Sequence, residues 1–438
     1  MNLPDKPTKV RYYILALIFV NVVINYMDRS NISVAISAID REFKFSTIET
    51  GLILSAFGWT YVAFQIPGGM MIDKFGPRLL YTFSLISWSI VTLLQSFAKG
   101  FISLFGLRLA TGIFEAPAFP TNNQVVTSCV PDNERASAIG VYTSGQFLGL
   151  AFLTPVLTAI QYYFGWRSLF IVTGIGGIIW GSIWYKLYRD PKEHPRVNSA
   201  ELKKIETGGG LIDTESKERK NKSVKWHDLK QVLSHRKLWG IYIGQFAVNS
   251  TLWFFLTWFP KYLIDYRHIS FMRSGLLASL PFIAAFCGVL FSGFLSDFLI
   301  KKNFKIEVAR KLPIITGLIL SISIIGANYV SSPALIILFM AIAFFGNGLA
   351  SITWVFVSTL APKELVGLTG GVFNFVGGLA AVIVPIVIGF LVSGGNFSPA
   401  LIFIGSLALL GTCSYIFLVG KIERIEQLTI MPPGIKIK

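Results

Sequence analysis

Residues 25–29 read Asn25-Tyr26-Met27-Asp28-Arg29 and lie inside an apolar run that extends from residue 12 to residue 38. An acid and a base therefore stand side by side among Val, Ile, Leu, Phe and Ala side chains. Each such charge costs about 2.5–3.5 kcal/mol at the centre of a membrane helix. Two interpretations are open: a functional site, or an ion pair that only holds two helices together. The functional one is favoured, since ionisable groups inside a membrane usually mark a substrate or proton pathway.

The composition places most of the chain in a membrane. Hydrophobic residues make up 53% of the 438 residues and charged residues only 14%, whereas a soluble protein carries about 25% charged residues. A spanning helix needs about 20 apolar residues, and helices satisfy their own backbone groups in lipid. The predicted fold class is an all-α membrane protein with twelve transmembrane helices. The predicted spans are 12–38, 48–72, 79–97, 101–125, 136–161, 166–188, 238–264, 272–296, 312–329, 334–360, 365–392 and 398–420.

The spans form two halves, residues 1–188 and 238–420, each predicted to be a six-helix bundle. Residues 189–237 form a hydrophilic linker, and residues 421–438 form a tail. The linker contains 13 Lys and Arg residues, and its Gly208-Gly209-Gly210 run lacks the Gly-Lys-Ser/Thr ending of a phosphate-binding loop. That run is interpreted as flexible chain.

The positive charges are distributed unevenly between the two sides of the predicted membrane. The termini, the linker and the connections on the same side hold 30 Lys and Arg residues, and the opposite side holds seven. This asymmetry predicts that both termini and the linker are cytoplasmic in a multi-pass protein of the cell (inner) membrane. Because the net charge of +16 lies in short connections between spans, it does not indicate a nucleic-acid partner.

The cysteines and histidines indicate no cofactor chemistry. Cys129, Cys287 and Cys413 lack ligand spacing, and the four histidines all fall in connecting segments. We therefore expect no metal site, no cofactor and no enzymatic activity.

An internal repeat relates the two halves. At an offset of 224 residues, Gly51, Gly69 and Asp73 correspond to Gly275, Gly293 and Asp297; at an offset of 230, Glu134, Gly140 and Pro155 correspond to Glu364, Gly370 and Pro385. Such repeats build transporters in which two bundles rock about a central site.

Several stretches carry a family resemblance. The stretch Gly69-x-x-x-Asp73-Lys74-x-Gly76-x-Arg78 resembles the signature of the major facilitator superfamily, whose charged residues act as a conformational latch. Its second copy, Gly293-x-x-x-Asp297, is degraded. Residues 25–29, 112–120, 142–146, 244–253, 345–354 and 367–374 are similar to the anion:cation symporter family within that superfamily. The resemblance implies the major facilitator fold, with two pseudo-symmetric six-helix bundles, and a monomer.

Four charged residues lie well inside spans: Asp28, Arg29, Arg108 and Glu115. Arg108 and Glu115 lie on one helix face, about 10.5 Å apart along the axis, so each is expected to meet a partner on another helix. A carboxylate in an apolar cavity takes up a proton when a neighbouring guanidinium moves away. The resemblance implies that Asp28 and Glu115 are proton-coupling acids and that Arg29 binds a substrate carboxylate. Arg108 is expected to support Asp28 electrostatically, with a purely structural role as the alternative.

The second half offers neutral groups instead. Gln245, Asn249 and Trp253 recur every four residues on the seventh span, and Asn347, Ser351 and Trp354 are predicted to share a face of the tenth. Interhelical hydrogen bonding is the alternative role for such polar groups. The resemblance favours contact with a polyol substrate, at Tyr61, Gln146, Gln245, Ser351, Thr353, Trp354 and Asn374. Trp59, Trp88, Trp180 and Trp258 are interpreted as interface anchors or packing residues.

Together these features predict a secondary transporter that imports a sugar-acid anion with protons. The resemblance implies D-galactonate or a related hexonate or hexarate as the substrate. One alternative is an exchanger of organic phosphates or other organic anions, which would leave the two buried acids unexplained. Another is a membrane enzyme or scaffold, which the absence of a soluble domain and of a catalytic constellation disfavours.

Overall fold

The computed structural model describes residues 6–210, 226–362 and 365–425, without the side chains of a few residues inside helices. Within these ranges the chain is helical and forms twelve spans. Two long helices are each broken at one glycine into two spans. Thr47–Gln95 breaks at Gly76, with φ of 73°, and Asp132–Leu187 breaks at Gly165, with φ of 82°. Glycine suits both positions because side chains disfavour positive φ.

The spans agree with the predicted number. In chain order they are Val10–Phe43, 47–75, 77–95, Phe101–Cys129, 132–164, 166–187, Arg236–Thr257, Phe271–Lys301, Ile306–Tyr329, 333–360, Val366–Leu391 and Ser398–Leu418. The seventh span continues through Phe259–Lys261 and the π-helical turn Tyr262–Tyr266. The fold class predicted from the sequence is confirmed.

Part of the linker is helical and packs against the first half. The helix Ser199–Thr207 presents Glu201, which is fully buried, to the first turn of the first span. Glu201 accepts hydrogen bonds from the backbone N–H groups of Val10 and Arg11 and from the Arg11 guanidinium. A carboxylate at this position satisfies N–H groups that a helix start leaves unpaired. The predicted linker residues 211–225 and tail residues 426–438 lie outside the described ranges.

The second and eighth spans each contact the other half near the same end of the molecule. We call the end that carries the helix Ser199–Thr207 the linker end, and the opposite end the far end. At the far end, a Cβ added to Gly51 would lie 2.6 Å from the Pro385 carbonyl oxygen, and one added to Gly275 would overlap Thr158. On the same two spans toward the linker end, a Cβ at Gly69 or Gly293 would meet no described atom within 4 Å.

A buried ion network also joins the halves at the far end. Lys261 of the second half is buried and donates to Asp40 of the first half and to Asp265 of its own half, both at 2.6 Å. Thr50 donates to Asp40 at 3.0 Å, and Ser37 donates to Asp265 at 3.1 Å. The two halves are therefore joined at the far end.

Candidate substrate and proton site

Asp28 and Arg29 lie side by side midway along the first span, and both are buried. Successive residues of an α-helix point about 100° apart, so the two side chains reach different neighbours. Arg29 points to the second and fourth spans, whereas Asp28 points to the third. Asp28 and Arg29, although adjacent in the sequence, therefore belong to two separate sites.

Arg29 forms an ion pair with Glu115 of the fourth span. Its Nε donates to Glu115 Oε1 at 2.5 Å, and both side chains are buried. Arg29 also lies over the rings of Tyr26 and Tyr61, with its guanidinium carbon 4.8 Å and 4.6 Å from the ring centroids. Asn25 lies beside the Glu115 carboxylate, but neither Arg29 Nη2 nor Glu115 Oε2 has a partner in good hydrogen-bond geometry among the described residues. The pair therefore keeps one donor and one acceptor for another group.

A helix break positions Glu115. The fourth span consists of the helices Phe101–Glu115 and Ala118–Cys129, which meet at Ala116 and Pro117. Pro117 lacks the N–H that would continue the helix, and its ring disfavours a straight one. Nearby, a Cβ on Gly112 would overlap the Phe57 carbonyl and the Thr60 hydroxyl. Glycine at this position lets the fourth span approach the second closely.

Asp28 is held by hydrogen-bond donors rather than by a cation. The indole Nε1 of Trp88 donates to Asp28 Oδ2 at 2.9 Å, and Asn31 Nδ2 donates to Oδ1 at 3.1 Å. Asn31 Nδ2 also lies 2.8 Å from Thr173 Oγ1 of the sixth span. Assigning only packing to Trp88 was therefore incomplete, because its N–H has a specific partner.

Arg108 is buried in the same helix as Glu115, two turns before it. Its guanidinium carbon lies 5.3 Å from the Phe57 ring centroid, and its Nε has no hydrogen-bond partner among the described residues. No hydrogen bond joins Arg108 to Asp28 in the described part of the structure, and the electrostatic support of Asp28 by Arg108 stays a prediction.

The second half contributes an amide cluster on the seventh span. Thr353 Oγ1 donates to Gln245 Oε1 at 2.7 Å, and Gln245 Nε2 lies 3.4 Å from Asn249 Oδ1. A Cβ on Gly377 would lie 2.7 Å from Gln245 Cγ, so glycine there brings the eleventh span against this cluster. The predicted face shared by Gln245 and Asn249 is confirmed.

The tenth span changes helix type between Asn347 and Trp354. Residues Ala350–Thr353 form a 3₁₀-helix, which turns about 120° per residue instead of 100°. The turn rotates Trp354 by about 80° relative to an unbroken α-helix, and the predicted common face stays a prediction. Asn347 is buried, whereas Trp354 is 49% exposed and packs edge-on against Phe373. Ser351 is half-buried within the same turn.

The remaining predicted contact residues are divided among three spans. Tyr61 stacks on Phe57 with ring centroids 5.1 Å apart, and Gln146 is half-buried on the fifth span. Asn374 Nδ2 donates to Gln65 Oε1 at 2.7 Å, which joins the eleventh span to the second across the two halves. Sequence reasoning missed Gln65, although a lone amide in an apolar span was the available signal.

The signature motif forms the connection between the second and third spans. Gly76 supplies the break, and Arg78 donates through Nε and Nη2 to the Tyr185 carbonyl at 3.0 and 2.8 Å. Arg78 therefore ties the third span to the end of the sixth. Lys74 Nζ lies 5.3 Å from the Phe75 ring centroid. The side chain of Asp73, to which the motif assigns a latching role, lies outside the described part of the structure.

Twelve spans with buried charges in the first half, joined across the halves by the Lys261 network, are typical of a multi-pass membrane transporter. The Major Facilitator Superfamily model matches residues 18–385, and the chain belongs to that superfamily.

Curated relatives and solved structures agree with this assignment. A D-galactonate transporter of Escherichia coli O6:H1 is 53% identical over 422 residues, covering 96% of this chain and 98% of the relative. A probable galactarate/D-glucarate transporter of Bacillus subtilis is 42% identical, over 96% of this chain and 94% of the relative.

The structural neighbours share the fold at low sequence identity. One is a bacterial homologue of the human lysosomal transporter Spinster, in an inward-facing and occupied conformation. It matches with a TM-score of 0.69 and 19% identity, over 93% of this chain and 94% of that one.

Proposed function

We propose that this chain imports the anion of a sugar acid, D-galactonate or a related hexonate or hexarate, together with protons. Arg29 binds the carboxylate, Asp28 and Glu115 carry protons, and Arg108 supports Asp28 electrostatically. The observation that carries this proposal is the buried Arg29–Glu115 pair, with its unused Arg29 Nη2 and Glu115 Oε2. The two similar relatives are named for D-galactonate and for galactarate and D-glucarate.

The ion pair provides a way to couple the anion to a proton. A planar guanidinium can hold a carboxylate by two parallel hydrogen bonds. When the substrate occupies Arg29, the buried Glu115 loses its cationic partner and favours the neutral, protonated form. Substrate and proton then increase each other's affinity, as linkage requires.

The neutral groups of the second half suit the hydroxyls of the substrate. The amides of Gln245 and Asn374 can both donate and accept hydrogen bonds, and Ser351 and Thr353 offer hydroxyls. Trp354 offers an exposed indole face. Tyr61 and Gln146 complete the site from the first half. A polyol chain with one charged end fits this division between a cationic half and a neutral half.

The proposed transport cycle depends on which end of the molecule faces the cytoplasm. We assign the linker end to the cytoplasm, because it carries the excess of Lys and Arg. On this assignment the Lys261 network joins the two halves on the outer side, as expected of an inward-facing state. The outward-open state takes up the anion and protons, and the inward-open state releases them. With two acids and a monovalent anion, each cycle would move one net positive charge, so the membrane potential would assist uptake.

The test is uptake by purified protein in proteoliposomes across a panel of sugar acids, with and without a pH gradient. The proposal predicts that an inward proton gradient drives accumulation of hexonates or hexarates above equilibrium. Uptake only by counterflow, with no dependence on pH, would instead support an exchanger of organic phosphates or other anions. No transport of any anion would contradict the proposal.

A further inference from the structure

Asp28 is met by a hydrogen-bond donor on each of its two carboxylate oxygens. Trp88 Nε1 lies 2.9 Å from Oδ2, and Asn31 Nδ2 lies 3.1 Å from Oδ1. An indole N–H can only donate. If the oxygen facing Trp88 took up a proton, two hydrogens would face each other, so this contact favours the ionised carboxylate.

The indole of Trp88 has little freedom to turn away from Asp28. Trp88 is fully buried in the third span and packs edge-on against Tyr81, at 6.0 Å between ring centroids. Tyr81 in turn contacts Trp184 of the sixth span, at 5.1 Å, and Trp184 stacks on Tyr188, at 4.5 Å. All four rings are fully buried. This aromatic column holds the indole in one orientation.

We propose that Trp88 is a positioning residue for proton coupling, whose indole N–H fixes the Asp28 side chain and sets the pH at which Asp28 exchanges its proton. The transport part of this inference rests on the proposed function. The contact between Trp88 and Asp28 does not, so the two can be tested separately.

The charged groups that act on Asp28 are Glu115 and Arg108 of the fourth span, together with Arg29 next to it in the chain. The side chain that meets Asn31 from the sixth span, Thr173, is neutral. Replacing Trp88 by phenylalanine keeps a buried ring and leaves all these charges in place. The substitution therefore isolates the N–H donor.

The experiment is an infrared titration of the protonated carboxyl C=O stretch in the purified, reconstituted protein. The band of Asp28 is assigned by its loss in Asp28→Asn. Trp88→Phe removes a hydrogen bond to a charged group, so the Asp28 midpoint should move upward by about one to two pH units. Trp184→Phe is the matched control, because it keeps an aromatic ring in the same column and removes only an indole N–H that has no hydrogen-bond partner among the described residues. It should leave the midpoint unchanged.

The pH dependence of proton-driven uptake is measured on the same preparations. A parallel shift in uptake for Trp88→Phe, and not for Trp184→Phe, supports both the inference and the proposed function. A shift of the infrared midpoint without any change in uptake supports the contact but removes Asp28 from proton coupling. An unshifted infrared midpoint overturns the inference.

A second variant covers the case in which Trp88→Phe does not fold. Asn31→Leu removes the other donor to Asp28 while keeping the size of the side chain. It should move the infrared midpoint in the same direction as predicted for Trp88→Phe. A downward shift or no shift would show that the donors around Asp28 do not stabilise its ionised form.

Discussion

Asp40→Asn should shift the protein from the state described here toward the state open at the far end. Asp40 is the carboxylate by which the first half binds Lys261 of the second half, at 2.6 Å. In the variant, Lys261 keeps Asp265 and asparagine still offers an amide oxygen, so the loss is the charge on one acceptor rather than a whole hydrogen bond. The difference between a hydrogen bond to a charged acceptor and one to a neutral acceptor is about 1–1.5 kcal/mol, which corresponds to a change of roughly 5- to 13-fold in the equilibrium between the two states.

The assay is the distribution of distances between two spin labels, one on each half at the far end, measured by pulsed electron resonance. Glu42→Gln is the matched control. Glu42 lies near Asp40 on the first span, but its partner Arg167, at 2.6 Å, belongs to the same half. The control should leave the distances unchanged. If Asp40→Asn also left them unchanged, the Lys261 network would not hold the far end closed.

Three further predictions concern single groups. Arg29→Lys loses the planar fork, so calorimetry should show about 10- to 100-fold weaker substrate binding; unchanged affinity would remove Arg29 from the site. Glu201→Gln weakens the bonds to the first turn of the first span, so the protein should unfold several degrees lower than with Glu206→Gln, an exposed site on the same helix. Equal melting temperatures would contradict that role. Glu134 lies before the apolar stretch of its helix, which begins at Ser137, and hydrogen bonds from Arg11 and Lys204 lower its pKa to about 2. The stabilisation by Glu134 should therefore persist from pH 7 to 5 and decline below its ordinary pKa of 4.5; a thermal-shift comparison with Glu134→Gln that shows loss above pH 5 would refute it.

The span pattern and the main ion pair could be predicted from the sequence. Apolar runs of membrane-spanning length predict the twelve spans, and the structure adds that the second and fifth spans end at Gly76 and Gly165. The pairing of Glu115 with a first-span charge followed from helix geometry. Arg108 and Glu115 lie on one helix face but are too far apart to pair, which leaves Asp28 and Arg29 as candidate partners. In the structure, Glu115 pairs with Arg29.

The partners of Asp28 and Asn374 could not be predicted in this way. A hydrophobic span has no polar face to show its orientation, so nothing in the third span indicated that Trp88 points at Asp28. The bond between Asn374 and Gln65 and the ion pair between Lys261 and Asp40 each depend on how the two halves are tilted. Residue spacing within one span does not carry that information. The rotation of Trp354 depends on a local 3₁₀ turn that an α-helical period misses.

The most direct test of the proposed coupling is Glu115→Gln in proteoliposomes, with accumulation and counterflow exchange measured on the same preparation. Glutamine keeps the size and one hydrogen-bonding oxygen of Glu115 but cannot carry the proton or balance Arg29. We predict that accumulation driven by a pH gradient is lost, while exchange of labelled for unlabelled substrate continues. Proton-driven accumulation that survives the substitution unaltered would contradict the assignment of Glu115 as a coupling acid.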